Sequence, residues 1–302
     1  MEFIEVTQIL NKNKTEFNCD YTLDLYKGCD LGCIYCDGRS SCYKNKKFDE
    51  VKVKKDCISL LNKELKNKKK KGFISMGILS DPYNSIEKEL ELTRETLKLI
   101  LKYGFGVIIH TKSDLILRDI DLLKNINQNS IALINVSICT SNDSISDKIE
   151  PFAPNSSTRF ELIKQLKDNG LYCGITMKPV IPYITDKIED LTQFIEMSYD
   201  VKSDYILTDM KLTLRDQQRD YFLTKLEQSF YGISYQYRRV YNNRLNCVTL
   251  KWKENYDYLK NKCNEYGIYY QIEDINELIE KRKNHITQIS LFEKCVIILL
   301  WN

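Results

Sequence analysis

Six short runs rich in β-branched and aromatic residues alternate with longer amphipathic runs along the first two thirds of the chain. The strand-like runs are "TLDLYKG" (22–28), "GFISMGI" (72–78), "GFGVIIHT" (104–111), "SIALINVSIC" (130–139), "LYCGITMKPVI" (171–181) and "SDYILTDM" (203–210). Between them, "DCISLLNKELKNKKKK", "SIEKELELTRETLKLILKYG", "DIDLLKNIN", "SSTRFELIKQLKDNG" and "IEDLTQFIEMSYD" have helical spacing. In the second of these Leu90, Thr93, Leu97 and Ile100 form one face, and Gly104 supplies a C-terminal stop. Ser157 and Thr158, ahead of Glu161, predict an N-cap for the fourth. Strand followed by helix, six times over, requires a parallel sheet with right-handed crossovers. Unusual polar residues and cysteines recur just after the strand ends, which is the working face of a barrel. The expected fold is therefore an α/β, partial (β/α)6 TIM-like barrel over residues 1–211. Beyond it the alternation fades into a helical and irregular C-terminal extension, 212–302.

The stretch "YKGCDLGCIYCDGRS" (26–40) places Cys29, Cys33 and Cys36 within eight positions, with Gly28 and Gly32 to free the backbone. Three thiolates are one short of a closed structural zinc site. Cys42 would complete such a site, giving C-x3-C-x2-C-x5-C. The same three thiolates would instead hold a [4Fe–4S] cluster with one iron open to an outside ligand. Buried thiols of the core are the third reading. The chain has eleven cysteines and only two histidines, His110 and His285, which disfavours a multi-histidine metal site and a His-centred hydrolase. There is no signal-peptide pattern and no apolar run of about 18 residues. A cytoplasmic, non-membrane protein is expected, in which cysteines bind metals or lie buried more often than they form disulfides.

The C-x3-C-x2-C after a first strand, with an aromatic before the third cysteine, resembles the radical SAM superfamily. "YKGCDLGCIYCDGRSSCY", "SDPYNSIEKELELTRETLKLILKYGFGVIIHTKSDLILRDIDLL", "IEPFAPNSSTRFELIKQLKDNG" and "PVIPYITD" extend the resemblance over about residues 20 to 220. Together they are similar to the spore photoproduct lyase family, the SplB-like group often labelled DNA repair photolyases. The resemblance implies a [4Fe–4S] cluster on Cys29, Cys33 and Cys36, with S-adenosylmethionine (SAM) on the open iron. It implies reductive cleavage of SAM to a 5′-deoxyadenosyl radical that takes hydrogen from a substrate, which the resemblance suggests is a nucleic acid base, in lyase or DNA-repair chemistry. Radical SAM modification of RNA or of a peptide is the alternative enzyme, and a zinc-stabilised nucleic-acid-binding module the non-catalytic one.

By the same resemblance Tyr35 is expected against adenine, and Asp81, in "SDPY", near the amino group of the cofactor methionine. Lys112, followed by Ser113, is placed near the cofactor carboxylate or ribose, and Ser137 near the ribose or methionine. Arg159 is expected to pair with a cofactor carboxylate or with Glu150, which precedes Pro151. Spore photoproduct lyase uses a cysteine near the end of its second strand as hydrogen-atom donor, where this chain has Ile78 or Leu79. Cys139, after the fourth strand, is then the candidate catalytic thiol, the plainer reading being a buried small side chain.

A net charge of +3 says little about partners, since 45 basic and 42 acidic residues nearly cancel. The segment "YQYRRVYNNR" (235–244) mixes tyrosines with Arg238, Arg239 and Arg244, a composition suited to phosphate contact and base stacking. The lysine run "KNKKKKG" (66–72) suits either nucleic acid or a solvated helix end. "QISLF" (288–292) resembles the pentapeptide by which bacterial repair proteins dock on the sliding clamp. The resemblance also implies a reductant such as flavodoxin or ferredoxin.

Overall fold

A computed structural model of the chain describes residues 1–12 and 15–281. Its elements in chain order begin with β1 (Glu2–Ile4), β2 (Tyr21–Leu23), β3 (Tyr26–Lys27), β4 (Lys52–Lys54), α1 (Cys57–Lys66) and β5 (Phe73–Met76). There follow α2 (Glu87–Leu90), α3 (Leu92–Tyr103), β6 (Gly106–Thr111), α4 (Ile120–Asn129), β7 (Ala132–Ser137), α5 (Asp143–Ile149) and α6 (Ser156–Asp168). The last are β8 (Tyr172–Met177), α7 (Ile188–Asp200), β9 (Ile206–Thr208), β10 (Lys211–Thr213), α8 (Asp216–Ser229), α9 (Ile233–Tyr241), β11 (Asn246–Val248) and α10 (Trp252–Tyr266).

The expected parallel sheet is present, in the order β2-β5-β6-β7-β8-β9 with every neighbouring pair parallel. The two edge strands do not pair with each other, so the (β/α)6 barrel is partial and open. Side chains alternate along each strand. In β6, Val107 and Ile109 join the core shared with the helices, where Leu97, Ile100, Leu123, Ile163 and Phe194 lie. Ile108 between them faces the barrel interior and packs with Phe17, Leu133, Tyr205 and Leu207, closed off by Ile275 and Ile279. Among the described residues no helix is long and apolar enough to cross a membrane.

Three local expectations are corrected. The first run, 22–28, is two strands: β2 ends at Leu23, and β3 belongs to a separate sheet ordered β1-β4-β3. The break is at Asp24, whose carboxylate accepts hydrogen bonds from the backbone of Gly77, Ile78 and Leu79. The helix of 85–104 is likewise broken at Glu91, which has a left-handed φ of 51°. The break lets the Glu87 carboxylate accept the Thr93 N–H, at 3.0 Å, at the start of α3. The N-cap of α6 is Asn155, whose Oδ1 accepts from the Thr158 N–H at 3.0 Å. Ser157 instead hydrogen-bonds Asp143, at 2.6 Å between Oγ and Oδ2.

The stretch after β9 is more regular than its sequence suggested. β10 and β11 form an antiparallel ribbon, and α8 and α9 pack beside it. Leu212, Leu214, Phe222, Leu226 and Tyr237 share one apolar cluster with Leu31, Cys33, Ile34 and Tyr35 of the cysteine loop. Each large side chain buried there contributes about 1.5–3 kcal/mol. This part of the chain therefore covers the cysteine loop.

Candidate active site

The cysteine loop follows β3 and is shaped by two glycines with positive φ, 91° at Gly28 and 71° at Gly32. A Cβ at Gly28 would sit 2.5 Å from the Glu50 carbonyl oxygen, and one at Gly32 2.7 Å from the Phe152 ring. The loop is anchored by the Cys29 N–H on the Phe48 carbonyl (2.8 Å) and the Ile34 N–H on the Ile149 carbonyl (2.9 Å). Cys33 is buried, and Cys29 and Cys36 are partly exposed. Burial pushes the Cys29 thiol up to about 12, helped by the negative charge of Asp81. Burial raises Cys33 and Cys36 as well. Such thiols stay protonated until a metal displaces the proton.

Cys42 is exposed, and its sulfur accepts a hydrogen bond from Ser40 Oγ at 3.2 Å. Among the described residues no three thiols, imidazoles or carboxylates are drawn together tightly enough to grip a single metal ion. A cubane cluster takes each thiolate on a different iron, so its ligands stand apart rather than converge. Three mutually interacting thiols on one tight loop fit that donor set.

Beneath the loop lies a buried ionic cluster built from the ends of β6, β7 and the segment after α5. Glu150 and Arg159 are both fully buried side chains and form an ion pair. Arg159 also donates to the Ser137 carbonyl (2.7 Å) and to Ser146 Oγ (2.8 Å). The Tyr35 hydroxyl donates to the Glu150 carboxylate and lies 3.1 Å from Cys139 Sγ. Lys112 Nζ is 3.8 Å from Glu150 and stands over the Tyr35 ring, 5.9 Å from its centroid. Burial opposes charge on Glu150, but Arg159 and Lys112 outweigh it and hold the carboxyl below its usual value. Burial opposes charge on Lys112 too, yet Cys33 and Glu150 keep it protonated. Two cations thus meet one carboxylate, leaving surplus positive charge beside Cys33 and Cys36, where it favours thiolates.

These contacts relocate several expected site residues. Arg159 has no exposed surface, so of its two candidate partners it takes Glu150 and is a positioning residue. Tyr35 is only 7% exposed and its hydroxyl points inward; its ring packs under the loop. Cys139 has no exposed surface, and burial pushes its thiol up to about 12. Asp81 is buried with its carboxylate spoken for: it accepts from the Tyr83 N–H (2.9 Å), Thr111 Oγ1 (2.7 Å) and the Lys112 N–H (2.8 Å). It thereby locks the end of β5 to the end of β6 and aims Lys112. Ser137 is partly exposed at the end of β7, and Ser113 caps the turn after β6 by accepting from the Leu115 N–H at 3.3 Å. Ile78 and Leu79 are exposed just after β5. Residues 288–292 and His285 lie outside the described residues.

Two groups escaped the sequence reading. The first is the buried network of Tyr26, Glu87, Arg118, Asp119 and Arg94. The Tyr26 hydroxyl donates to Glu87, Arg118 reaches Glu87 at 2.7 Å, and Arg94 reaches Asp119 at 2.8 Å. It ties the strand leading into the cysteine loop to α2, α3 and the turn before α4. The signal was the charged residues within the "SDPYNSIEKELELTRE" and "LILRDIDLL" blocks.

The second group explains "CDGRSSC". Arg39 is 7% exposed, lies between the rings of Phe48 (5.3 Å) and Tyr221 (4.0 Å), and binds Asp49 through two N–H groups at 2.7 and 2.6 Å. Its Nε donates to the Cys33 carbonyl at 3.2 Å. The start of α8 then grips the same loop. Gln218 donates to the Tyr35 carbonyl (2.8 Å), Gln217 to the Arg39 carbonyl (2.9 Å), and Arg215 to Asp37 (2.9 Å), while Asp216 accepts from the Ser41 N–H (3.1 Å). The lysine run ends α1, and two of its members lie over rings: Lys68 on Tyr21 at 4.8 Å and Lys71 on Phe105 at 5.1 Å.

The family model described as the radical SAM superfamily matches residues 23–195. The uncharacterized protein MJ0683 of Methanocaldococcus jannaschii is 36% identical over 189 residues, 61% of this chain and 70% of that protein. Among solved structures, a spore photoproduct lyase mutant with bound AdoMet and dinucleoside spore photoproduct superposes with a TM-score of 0.60 at 14% identity. That alignment covers 89% of this chain and 81% of the other. Streptococcus suis SuiB bound to S-adenosylmethionine gives a TM-score of 0.50 at 13% identity, covering 83% of this chain and 49% of SuiB. At those identities the likeness is one of fold.

Proposed function

The chain belongs to the radical SAM superfamily, whose cofactors are a [4Fe–4S] cluster and S-adenosylmethionine, and from that premise we propose that it abstracts hydrogen from a nucleic acid base. The observation that carries the cofactor half of the reading is the surplus positive charge of Lys112 and Arg159 over Glu150, beside three thiols on one loop; the substrate half rests on the fold likeness to a spore photoproduct lyase bound to a dinucleoside photoproduct. Cys29, Cys33 and Cys36 would hold the cluster, and SAM would bind beside them. When bound, this pair supplies a carbon radical able to take hydrogen from an unactivated C–H bond.

The protein's own residues bind, orient and shield. Lys112 presents its ammonium toward the cysteines and suits a carboxylate of the cofactor, while Asp81 holds the Lys112 backbone in place. Ser137, partly exposed at the strand end, is the hydroxyl available to the ribose or methionine. Cys139 is the proposed hydrogen-atom donor, an enclosed neutral thiol whose sulfur lies 3.1 Å from the Tyr35 hydroxyl. The electron comes from a reductant of the flavodoxin or ferredoxin type.

Anaerobic reconstitution with iron and sulfide, followed by SAM and dithionite, tests the reading. It expects a brown protein that forms 5′-deoxyadenosine, and transfer of label from tritiated nucleic acid into that product. A colourless, zinc-loaded protein that forms no 5′-deoxyadenosine would sink it.

A further inference from the structure

The 23 residues from Tyr231 to Lys253 contain five basic side chains, Arg238, Arg239, Arg244, Lys251 and Lys253, and no acidic one. The whole chain carries only +3, so the remainder is net negative. The same stretch exposes aromatic and aliphatic surface to an unusual degree: Tyr231 is 93% exposed, Tyr235 63%, Leu250 65% and Trp252 50%.

The helix α9 sorts these residues. Tyr237 and Tyr241 turn inward, their rings 5.3 Å apart and packed on Phe222 and Tyr183. Two of the three tyrosines in 235–244 that read as stacking surfaces in the sequence are therefore core. Tyr235, Arg238, Arg239 and Asn242 follow at helical spacing on the opposite face, all exposed. Arg238 has Glu227 nearby and Lys251 meets Glu254 at 4.0 Å. Arg239, Arg244 and Lys253 have no carboxylate within ion-pair distance among the described residues.

The location is equally specific. The Tyr237 hydroxyl donates to the Pro182 carbonyl, at 3.1 Å, on the segment leaving β8 at the barrel mouth. The neighbouring α8 grips the cysteine loop. The inner face of α9 thus packs toward the barrel mouth, and the basic, aromatic face forms the outer, solvent side of the same helix.

We propose that residues 231–253 form a docking surface for single-stranded DNA, with bases stacking on Tyr235 and Trp252 and phosphates on Arg238, Arg239 and Arg244. The inference rests on the reading of the substrate as nucleic acid and deepens it. An unpaired strand fits because exposed rings offer bases a face to stack on, which paired bases in a duplex cannot use. Concentrated cationic charge with no interspersed acid supplies the phosphate half of such a site. Stacking and phosphate contact need no 2′-hydroxyl, so DNA suffices.

Fluorescence anisotropy with the reconstituted full chain tests this, using a labelled oligothymidylate of about 12 nucleotides, its duplex with oligoadenylate, and an oligouridylate. The single DNA strand should bind most tightly, with log affinity falling against log salt at a slope of about −2 for the three phosphate-contacting arginines. Tyr235→Ala and Trp252→Ala should each weaken binding about tenfold and leave the salt slope unchanged. Arg238→Gln with Arg239→Gln should weaken binding and flatten the slope by about 1.4. Preference for duplex or for RNA, or unchanged affinity in all these variants, overturns the proposal. Formation of 5′-deoxyadenosine from SAM and dithionite, measured on the same samples, keeps the two readings apart. Failure of the wild-type chain to bind the single strand, with SAM cleavage intact, refutes the docking surface alone. Tight binding that responds to the variants, without label transfer from DNA, upholds the surface and refutes base abstraction.

Discussion

The Tyr35 hydroxyl, carried by the cysteine loop, donates a hydrogen bond to the buried carboxylate of Glu150. That contact links the loop to a pair of cations, Arg159 and Lys112, that both face the same carboxylate. Its two ends differ in what they protect. Tyr35→Phe removes one hydrogen bond and should destabilise the protein by about 1 kcal/mol. Glu150→Gln strands Arg159 and Lys112 as unpaired buried charges and should cost about 3–5 kcal/mol. Urea denaturation of the two variants measures the difference; equal losses would mean that Glu150 is not balancing those charges.

Arg39 makes an analogous prediction for the outer side of the loop. Arg39→Ala removes the two bonds to Asp49, the stack on Tyr221 and the hold on the Cys33 carbonyl. A loss of about 2 kcal/mol is expected from the charged hydrogen bonds, and the variant should retain less iron per chain after gel filtration. Arg39→Lys should not restore it, because an ammonium cannot make the paired contact. Iron and sulfide assay decides.

The four cysteines in and beside the loop should separate cleanly. Alanine at Cys29, Cys33 or Cys36 should abolish the brown absorbance of the reconstituted protein. Cys42→Ala should keep it, since Cys42 is exposed and bonded to Ser40 rather than gathered with the others. Loss of iron in Cys42→Ala would return the site to the four-thiolate zinc reading.

His110 sets a pH dependence of stability. It lies in the barrel interior, with Nε2 3.2 Å from Ser75 Oγ, its ring 5.5 Å from that of Phe17, and Glu16 and Lys178 acting on its charge. Burial pulls its pKa down to about 4 from an ordinary 6.5. The unfolded chain therefore binds a proton that the folded chain refuses, so this contribution is complete above pH 6.5 and is lost as the pH falls toward 4. The loss is on the order of 3 kcal/mol. Denaturation midpoints of His110→Gln against the wild type between pH 4 and 7 measure it; parallel curves would reject the assignment.

What the sequence determined by itself was periodic or local. The alternation of β-branched and amphipathic runs is a property of neighbouring residues, so the parallel six-stranded sheet and its helices were legible, as was the spacing of Cys29, Cys33 and Cys36 on one loop. Tertiary structure decided everything that depends on which distant groups meet in a low-dielectric interior. Arg159 could have faced the cofactor or Glu150, and burial beside a carboxylate settled it, because a guanidinium without exposed surface needs a counter-charge. Tyr237 and Tyr241 could have stacked bases, and the turn of α9 put them in the core while leaving Tyr235 outside. The grip of Arg39 and of the start of α8 on the cysteine loop joins residues some 180 positions apart. No spacing rule reaches that far, since such pairings arise only when the folded chain has brought the two surfaces together.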